Sequence, residues 1–561
     1  MNDPPTDSSE SDGATPNGTN GGQPKADSVV GDQVTVAELL AAIKTLESVA
    51  DDRSPLLQLD KGQIAQLLKA AGRVAHPGRA ARRQLIRAQR SARKVATEEL
   101  RAQDETQLQR TGIRRQTQSN RSLAGAPPRP SAEILPPPAV SASDKSIAIL
   151  QVPRNCYICK RDFHRVHFFY DSLCEDCAEF NWQKRNQLAD LREKTVLLTG
   201  GRVKIGFEAA LKLLRCGANL VITTRFPRDA ADRFAAQADS EQWSNRLSIY
   251  GLDLRHSQSV EAFARHLCTQ LPRLDFILNN ACQTVRRPIG FYEHLMERER
   301  QSTHALPLLQ REFLAGYDNF VDSHTTTASG RLPARATGEL NGGRGNQEAT
   351  VSSLATQLAG MVRAAELSQV ALADEDRQHG YEVFPTGQYD SDSQQVDLRQ
   401  RNSWRLKLAD ISTVELLEVQ LVNAIAPFLL NARLKPLMMR TPSPEKHIVN
   451  VSAMEGVFYR AFKRDTHPHT NMAKAALNMM TRTSAVDYVK DGIYMNSVDT
   501  GWITDEDPIE ITRRKEQELG FRTPLDAIDA AARICDPYFH GLNTGEHTWG
   551  KFLKDYQVSN W

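Results

Sequence analysis

The chain has 561 residues, more than one ordinary core needs, so two or three domains with linkers are expected. Its 70 Lys+Arg against 68 Asp+Glu leave a formal net charge of +2, so whole-chain electrostatics demand neither nucleic acid nor a membrane. No run of about 18 apolar residues occurs, so no transmembrane helix is predicted, and the polar N-terminus MNDPPTDSSESDGATPNGTNGG lacks the basic and apolar regions of a secretory signal. Of the eight cysteines, four form two close pairs, and Cys216, Cys268, Cys282 and Cys535 are scattered. That pattern suits a metal site in a reducing compartment better than a disulfide framework, and a cytoplasmic location is expected.

Residues 1–32 are rich in Ser, Asp, Gly, Asn and Pro and are predicted to be disordered. Residues 33–110 carry helical apolar spacing in three stretches, about 34–50, 61–71 and 78–102, the last two separated by His76-Pro77-Gly78. The third stretch is basic, with Arg79, Arg82, Arg83, Arg87, Arg90, Arg93 and Lys94. A solvated helix face accounts for this run more simply than nucleic acid, which is not expected; a protein partner for the N-terminal region is the alternative. Residues 111–150, containing PPRP and LPPP, read as a Pro-rich linker.

A small module is expected over 151–190. Cys156-Tyr-Ile-Cys159 and Cys174-Glu-Asp-Cys177 stand fourteen residues apart. Each pair can form a knuckle, and two knuckles complete a tetrahedral four-thiolate shell for one structural Zn2+, with no open position for a reacting water. His164 and His167 lie between the pairs, but four thiolates already suffice.

From 191 to 561 strands and helices alternate. TVLL at 195–198 leads into Thr199-Gly200-Gly201-Arg202-Val203-Lys204-Ile205-Gly206 and an amphipathic helix, followed by strands at 219–224, 247–250 and 274–280. This βαβαβ order implies a doubly wound, Rossmann-like parallel sheet that binds its ligand at the strands' C-terminal ends. Amides at a helix N-terminus attract a diphosphate, and glycine lets the backbone approach it.

Seven ordered motifs, over about 194–290 and 410–561, resemble those of the short-chain dehydrogenase/reductase family. TGGRVKIG resembles its TGxxxGxG turn, with Lys204 at the middle glycine. Asp253-Leu254 resembles the acidic adenine contact, and Asn279-Asn280-Ala281 resembles NNAG, with Cys282 for the last glycine. Asn423 resembles the helix asparagine of the proton relay, HIVNVS ending at Ser452 the strand that delivers the catalytic serine, Lys474 the lysine of YxxxK, and the run from Asn496 to Thr504 NxVxPGxxxT. The resemblance implies a hydride-transferring oxidoreductase on a carbonyl/alcohol pair, a small-molecule substrate and a homo-oligomer. Cofactor contacts are expected from Thr199, Gly200, Arg202, Lys204, Ile205, Gly206, Arg225, Asp253, Leu254, Asn280, Ala281, Lys474 and Thr504. Arg225, after the second strand, replaces the carboxylate that would bind NAD ribose, so NADP(H) is favoured over NAD(H).

The YxxxK tyrosine position is Thr470, and the second residue after HIVNV is Ala453, leaving Ser452 alone. A threonine hydroxyl is too weak an acid for the tyrosine's role. Candidates for it are Tyr459, His467 or His469, and Lys474 acting directly or through water at Asn423. The lost tyrosine keeps a second function open, a non-catalytic dinucleotide-binding protein with partners bound through the zinc module. An insertion at about 285–410 emerges where substrate must enter, as a lid, a partner surface or a disordered loop, with a helix predicted over 351–373.

Overall fold

The computed structural model describes residues 34–116, 146–328, 357–377, 380, 382–390, 392–460 and 463–561. The predicted disorder of 1–32, most of the predicted linker and residues 329–356 of the insertion lie outside the described residues.

The chain divides into residues 1–96 and 97–561. The first unit contains helices α1 (Val36–Asp51) and α2 (Lys61–Ala75) and most of the basic helix α3 (Arg79–Leu108). Capping boxes start α1 and α2: Thr35 pairs with Glu38, and Asp60 with Gln63. Their apolar residues, including Leu39, Leu40, Ile43 and Leu68, are exposed.

The second unit opens on the cysteine module. Strands β1 (Ser146–Asn155) and β2 (Asp162–His167) pair antiparallel, and helix α4 (Glu175–Asn186) follows. Both ends of the predicted linker belong to this module. Gly112 and Ile113 donate backbone hydrogen bonds to Phe168 and Phe169 (2.9 and 3.0 Å), and residues 146–150 are part of β1. Buried Arg114 paired with Asp171 anchors the first end, an ion pair between segments 57 residues apart that composition does not display.

The main sheet has the order β10-β9-β8-β7-β6-β3-β4-β5. Its strands are β3 (Thr195–Thr199), β4 (Asn219–Thr224), β5 (Leu247–Gly251), β6 (Phe276–Asn279), β7 (Lys446–Ser452), β8 (Ile493–Asp499), β9 (Phe552–Lys554) and β10 (Gln557–Ser559). All neighbours run parallel except the terminal β9–β10 hairpin. Continuous apolar strands such as β3 and β6 are buried throughout because helices cover both faces. Helices α5 (Lys204–Arg215), α6 (Pro227–Ala235) and α7 (Ser257–Gln270) follow the first three strands. Chain order reverses between β3 and β6, which opens a crevice at their C-terminal ends.

The described part of the insertion is folded. It holds α8 (Glu293–Glu299) and α9 (Leu308–Ala328), and α9 lies along β5, covering the sheet's edge. Tyr317 on α9 donates to Met361 O (2.8 Å), within a second helical segment at 357–367. After the insertion, α10 (Thr413–Gln420), a π turn (Leu421–Ile425) and α11 (Ala426–Met438) form one continuous helix. This helix is long and apolar enough to cross a membrane by length and composition alone. It carries buried Glu415, Glu418, Asn423 and Asn431 and packs on α7, as an internal helix does. Helices α12 (Pro468–Tyr488), α13 (Ile509–Leu519) and α14 (Ala527–Thr544) complete the unit, α14 packing on α5.

A buried polar ladder crosses the middle of the sheet. The Asn279 amide donates to Asn431 Oδ1 and Asn450 Oδ1 (both 2.8 Å), the Asn450 amide to Thr481 Oγ1 (2.9 Å), and the Ser497 hydroxyl also to Thr481 Oγ1 (2.9 Å). Removing one member strands its partners without water, at about 1–3 kcal/mol for each orphaned group. Asn450→Ala is therefore expected to lower unfolding stability in urea by about 3 kcal/mol; a loss below about 1 kcal/mol would show that the ladder is dispensable.

Candidate active site and metal centre

Strand β3 runs straight into the glycine turn. Gly200 adopts φ +72°, and a Cβ there would lie 2.9 Å from Ala281 Cα. At Gly206 a Cβ would stand 2.0 Å from Gly200 O, so no larger residue fits. The Asn280 amide donates to Thr199 O and Gly200 O (3.1 Å each), and Thr199 Oγ1 accepts from Ala281 N (3.1 Å). Thr199, Gly206 and Asn280 thus fix the turn against β6. Thr199 is buried, with its hydroxyl taken up by the Ala281 N–H.

The crevice above the turn has a volume of about 530 Å³. Its walls are the turn itself, the ends of β4 to β6, residues 390–402 of the insertion, and residues 503–509 after β8. Lys204 takes φ +53°, the left-handed conformation that explains the family's glycine here and costs a lysine about 1–2 kcal/mol. Burial works against its ammonium, but the carboxylates of Glu506, Asp392 and Asp390 outweigh it and hold its pKa above the ordinary value.

The other expected contacts divide. Arg225 donates to the Tyr292 hydroxyl (2.6 Å) and stacks over that ring (4.6 Å), and no ion pair engages it among the described residues. Arg202 is committed instead: its guanidinium pairs with Asp229 (2.7 Å) and lies over Phe226. Both Asp253 oxygens are held by Arg255, and its backbone N–H donates to Gly360 O (2.7 Å). Burial opposes its ionisation, yet Arg255 keeps its pKa below the ordinary value. Arg202, Asp253, Leu254 and Ile205 all line the crevice, the first two with their charged groups already paired. Thr504 also lines it, donating to Glu506 Oε1 (2.8 Å).

Most of the residues expected to be catalytic are held by partners on several elements. Asn423 lies in the π turn, a distortion common at functional sites. It accepts from Gln283 N (2.7 Å) and donates to Gln283 O (3.1 Å), clamping the segment after β6. Lys474 on α12 is buried and donates to Val451 O (2.7 Å). Ser452 Oγ and Thr470 Oγ1 are buried without hydrogen-bond partners. Tyr459 is not brought to them. It is 46% exposed, and its hydroxyl lies 3.3 Å from Ser559 Oγ at the sheet edge. His467 stacks on Trp404 (3.8 Å), and burial, then His469, pushes its pKa down to about 4, so it is neutral at pH 7. His469 points at α10, its Nε2 lying 3.2 Å from Glu415 Oε1, with both side chains 1% exposed.

In the cysteine module all four Sγ atoms lie within 4.8 Å of one another, with Cys159 and Cys174 at 3.6 Å. A tetrahedral shell with metal–sulfur bonds of about 2.3 Å has edges of about 3.8 Å, so the set fits zinc. Cys156 and Cys159 occupy the turn between β1 and β2, Cys174 caps α4, and Cys177 is in its first turn. His164 faces Leu150 O and His167 accepts from Phe169 N, which leaves both outside the shell.

Sequence reasoning missed Asp499. It ends β8 directly beside Ser452 and accepts from Met454 N (3.2 Å). Burial pushes its pKa up to about 6 despite Lys554. The folded state therefore binds this proton more tightly than the unfolded state, and stability falls as pH rises from about 4 through 6. Asp499→Asn should raise the melting temperature at pH 8 by the equivalent of about 2–3 kcal/mol, with the difference vanishing near pH 4. An equal difference at both values would mean that this carboxyl is not strained.

A family model described as short chain dehydrogenase matches residues 194–301, and one described as Enoyl-(Acyl carrier protein) reductase matches residues 401–529. An uncharacterized protein, R665, of Acanthamoeba polyphaga mimivirus is 27% identical over 72% of this chain and 74% of its own length. Dehydrogenase/reductase SDR family member 13 of Bos taurus is 36% identical over 107 residues, 18% of this chain and 28% of that protein. Mouse retinol dehydrogenase 14 is 36% identical over 18% of this chain and 33% of its own length, so the chain matches only about a third or less of these named dehydrogenases. A structure of the Pseudomonas aeruginosa RhlG/NADP active-site complex is 16% identical, with a TM-score of 0.37 over 65% of this chain and 95% of that one. With the glycine turn, the NNA segment and the parallel sheet in place, residues 194–301 and 401–529 are those of a divergent short-chain dehydrogenase/reductase domain, preceded by a four-cysteine cluster.

Proposed function

We propose that the protein is an NADP(H)-dependent oxidoreductase acting on a carbonyl/alcohol pair. The observation that carries this reading is the crevice itself, in which the Gly200–Gly206 turn and the start of α5 face a space flanked by Arg225. Amides at the start of α5 hold the diphosphate, Lys204 neutralises it, and Arg225 pairs with the 2′-phosphate. The nicotinamide, when bound, supplies or accepts the hydride. Lys474 exchanges its Val451 carbonyl for ribose hydroxyls, while Asn423 keeps Gln283 and the wall after β6 in place. Lys474, one turn after the buried Thr470 hydroxyl, passes a proton to the substrate oxygen directly or through water at Asn423. His469 is held ready by Glu415 as the rival acid.

A second reading, a non-catalytic dinucleotide-binding protein, is favoured by Ala453 and Thr470 at the family's serine and tyrosine positions. Nicotinamide fluorescence titration and turnover separate the two. Arg225→Ala should weaken NADPH about 10–100-fold and leave NADH unchanged. Wild type should oxidise NADPH with a member of a carbonyl panel, and Lys474→Ala should not. Binding without turnover on any carbonyl selects the second reading, and equal loss for both nucleotides removes the 2′-phosphate role.

Exposed Leu417, Ile425, Phe428, Met472, Met479 and Val486 on α10 to α12 supply an apolar face for a second copy. We read the protein as a homo-oligomer through this face, and Phe428→Glu combined with Met479→Glu should leave a monomer by light scattering; an unchanged mass would place the interface elsewhere. The apolar face of α1 suits a protein partner, and eight free thiols suit the cytoplasm.

A further inference from the structure

The cysteine module grips one segment of the dinucleotide domain at both ends. Tyr157 lies between the first two cysteines, and its hydroxyl accepts from Trp502 N (3.0 Å). Trp502 begins the loop whose residues 503–509 wall the crevice. Beside it Gly501 takes φ +79°, and a Cβ there would meet Leu525 at 2.6 Å and the Tyr157 hydroxyl at 3.7 Å. The Tyr157 ring also lies 5.5 Å from Lys554 Nζ, which is 4.0 Å from Asp499. At the far end of the segment, Arg185 on α4 pairs with Asp526 and Asp529 (2.6 and 2.9 Å), and Tyr170 donates to Asp529. Leu525 and Ile503 belong to the apolar cluster around Cys156 and Cys174. The stretch between these anchors, including α13, is mostly half-buried and has Arg513 and Arg514 exposed.

We infer that the metal-loaded module is a clamp on the crevice wall, with Tyr157 as its positioning residue, so that metal occupancy and dinucleotide binding are coupled. The inference rests on the dinucleotide reading of the crevice. Tyr157 is carried on the Cys156–Cys159 knuckle, and the metal is what closes that knuckle. Opened, the knuckle withdraws the acceptor from Trp502 N–H and frees the start of the loop. The apolar contacts of Leu525 go with it. Coupling of this kind is reciprocal: whatever factor the metal adds to nucleotide affinity, the nucleotide adds to metal affinity.

The test uses the full chain, zinc-loaded, metal-stripped and cobalt-substituted. Stripping should raise the NADPH dissociation constant about 10-fold and speed tryptic cleavage at Arg513, Arg514, Lys515 and Arg522 by a similar factor. Tyr157→Phe should keep the cobalt–thiolate absorption band, and hence the metal, while cleavage accelerates and NADPH affinity falls. Bound NADPH should slow zinc transfer to a chelator in wild type but not in Tyr157→Phe. Equal cleavage of loaded and stripped protein overturns the clamp, as does NADPH affinity indifferent to metal. The cleavage comparison uses no nucleotide, so a chain that binds no NADPH refutes the crevice reading while cleavage still decides the clamp. Should Tyr157→Phe lose its metal, the comparison of loaded with stripped wild type decides alone.

Discussion

The approach of Gly206 to the carbonyl of Gly200 is the constraint on which the crevice depends. A side-chain carbon at Gly206 would stand 2.0 Å from that oxygen. The contact lets α5 start close above β3, and Asn280 then ties the same two carbonyls to the end of β6. Three elements distant in sequence are fixed at one point, and the free amides of α5 face the gap between them. Lys204 is conformationally strained in this turn, and acidic neighbours from the insertion and from the loop after β8 offset the strain.

Those neighbours show what the insertion does. Arg286 reaches from the segment after β6 to Asp376 (2.7 Å) and to Glu418 on α10 (3.0 Å), all three nearly buried. Arg405 pairs with Asp507, and Arg287 with Asp397. Buried pairs of this kind gain little net stability, but losing one partner is expensive, so they fix geometry more than they add energy. Charged residues thus bridge the insertion, α10 and the loop after β8 around the crevice.

The parallel sheet is legible in the sequence because its strands are unbroken apolar runs, each followed by a helix of period 3.6. The glycine turn, NNA, Asn423 and Lys474 are legible because each stands in a fixed local context. The β9–β10 hairpin is not, since strands of three residues carry no period. The hold of Arg255 on the Asp253 carboxylate is not legible, because no motif reports it. The partners of Arg202 and Tyr459 are not legible either: a guanidinium or phenol on a loop takes whichever partner folding brings near, here Asp229 and Ser559. Asp499 could be suspected as a charge ending an otherwise apolar strand. The asparagine ladder could not, because it joins β6, α11 and β7 across more than 150 residues.

The central claim is that α5 receives a dinucleotide's diphosphate with Lys204 beside it. A crystal structure grown with NADPH tests it most directly. The account predicts diphosphate oxygens about 3 Å from backbone amides at the start of α5, with the Lys204 ammonium turned from Glu506 toward them. Nucleotide density elsewhere, or an empty crevice at saturating NADPH, would contradict it.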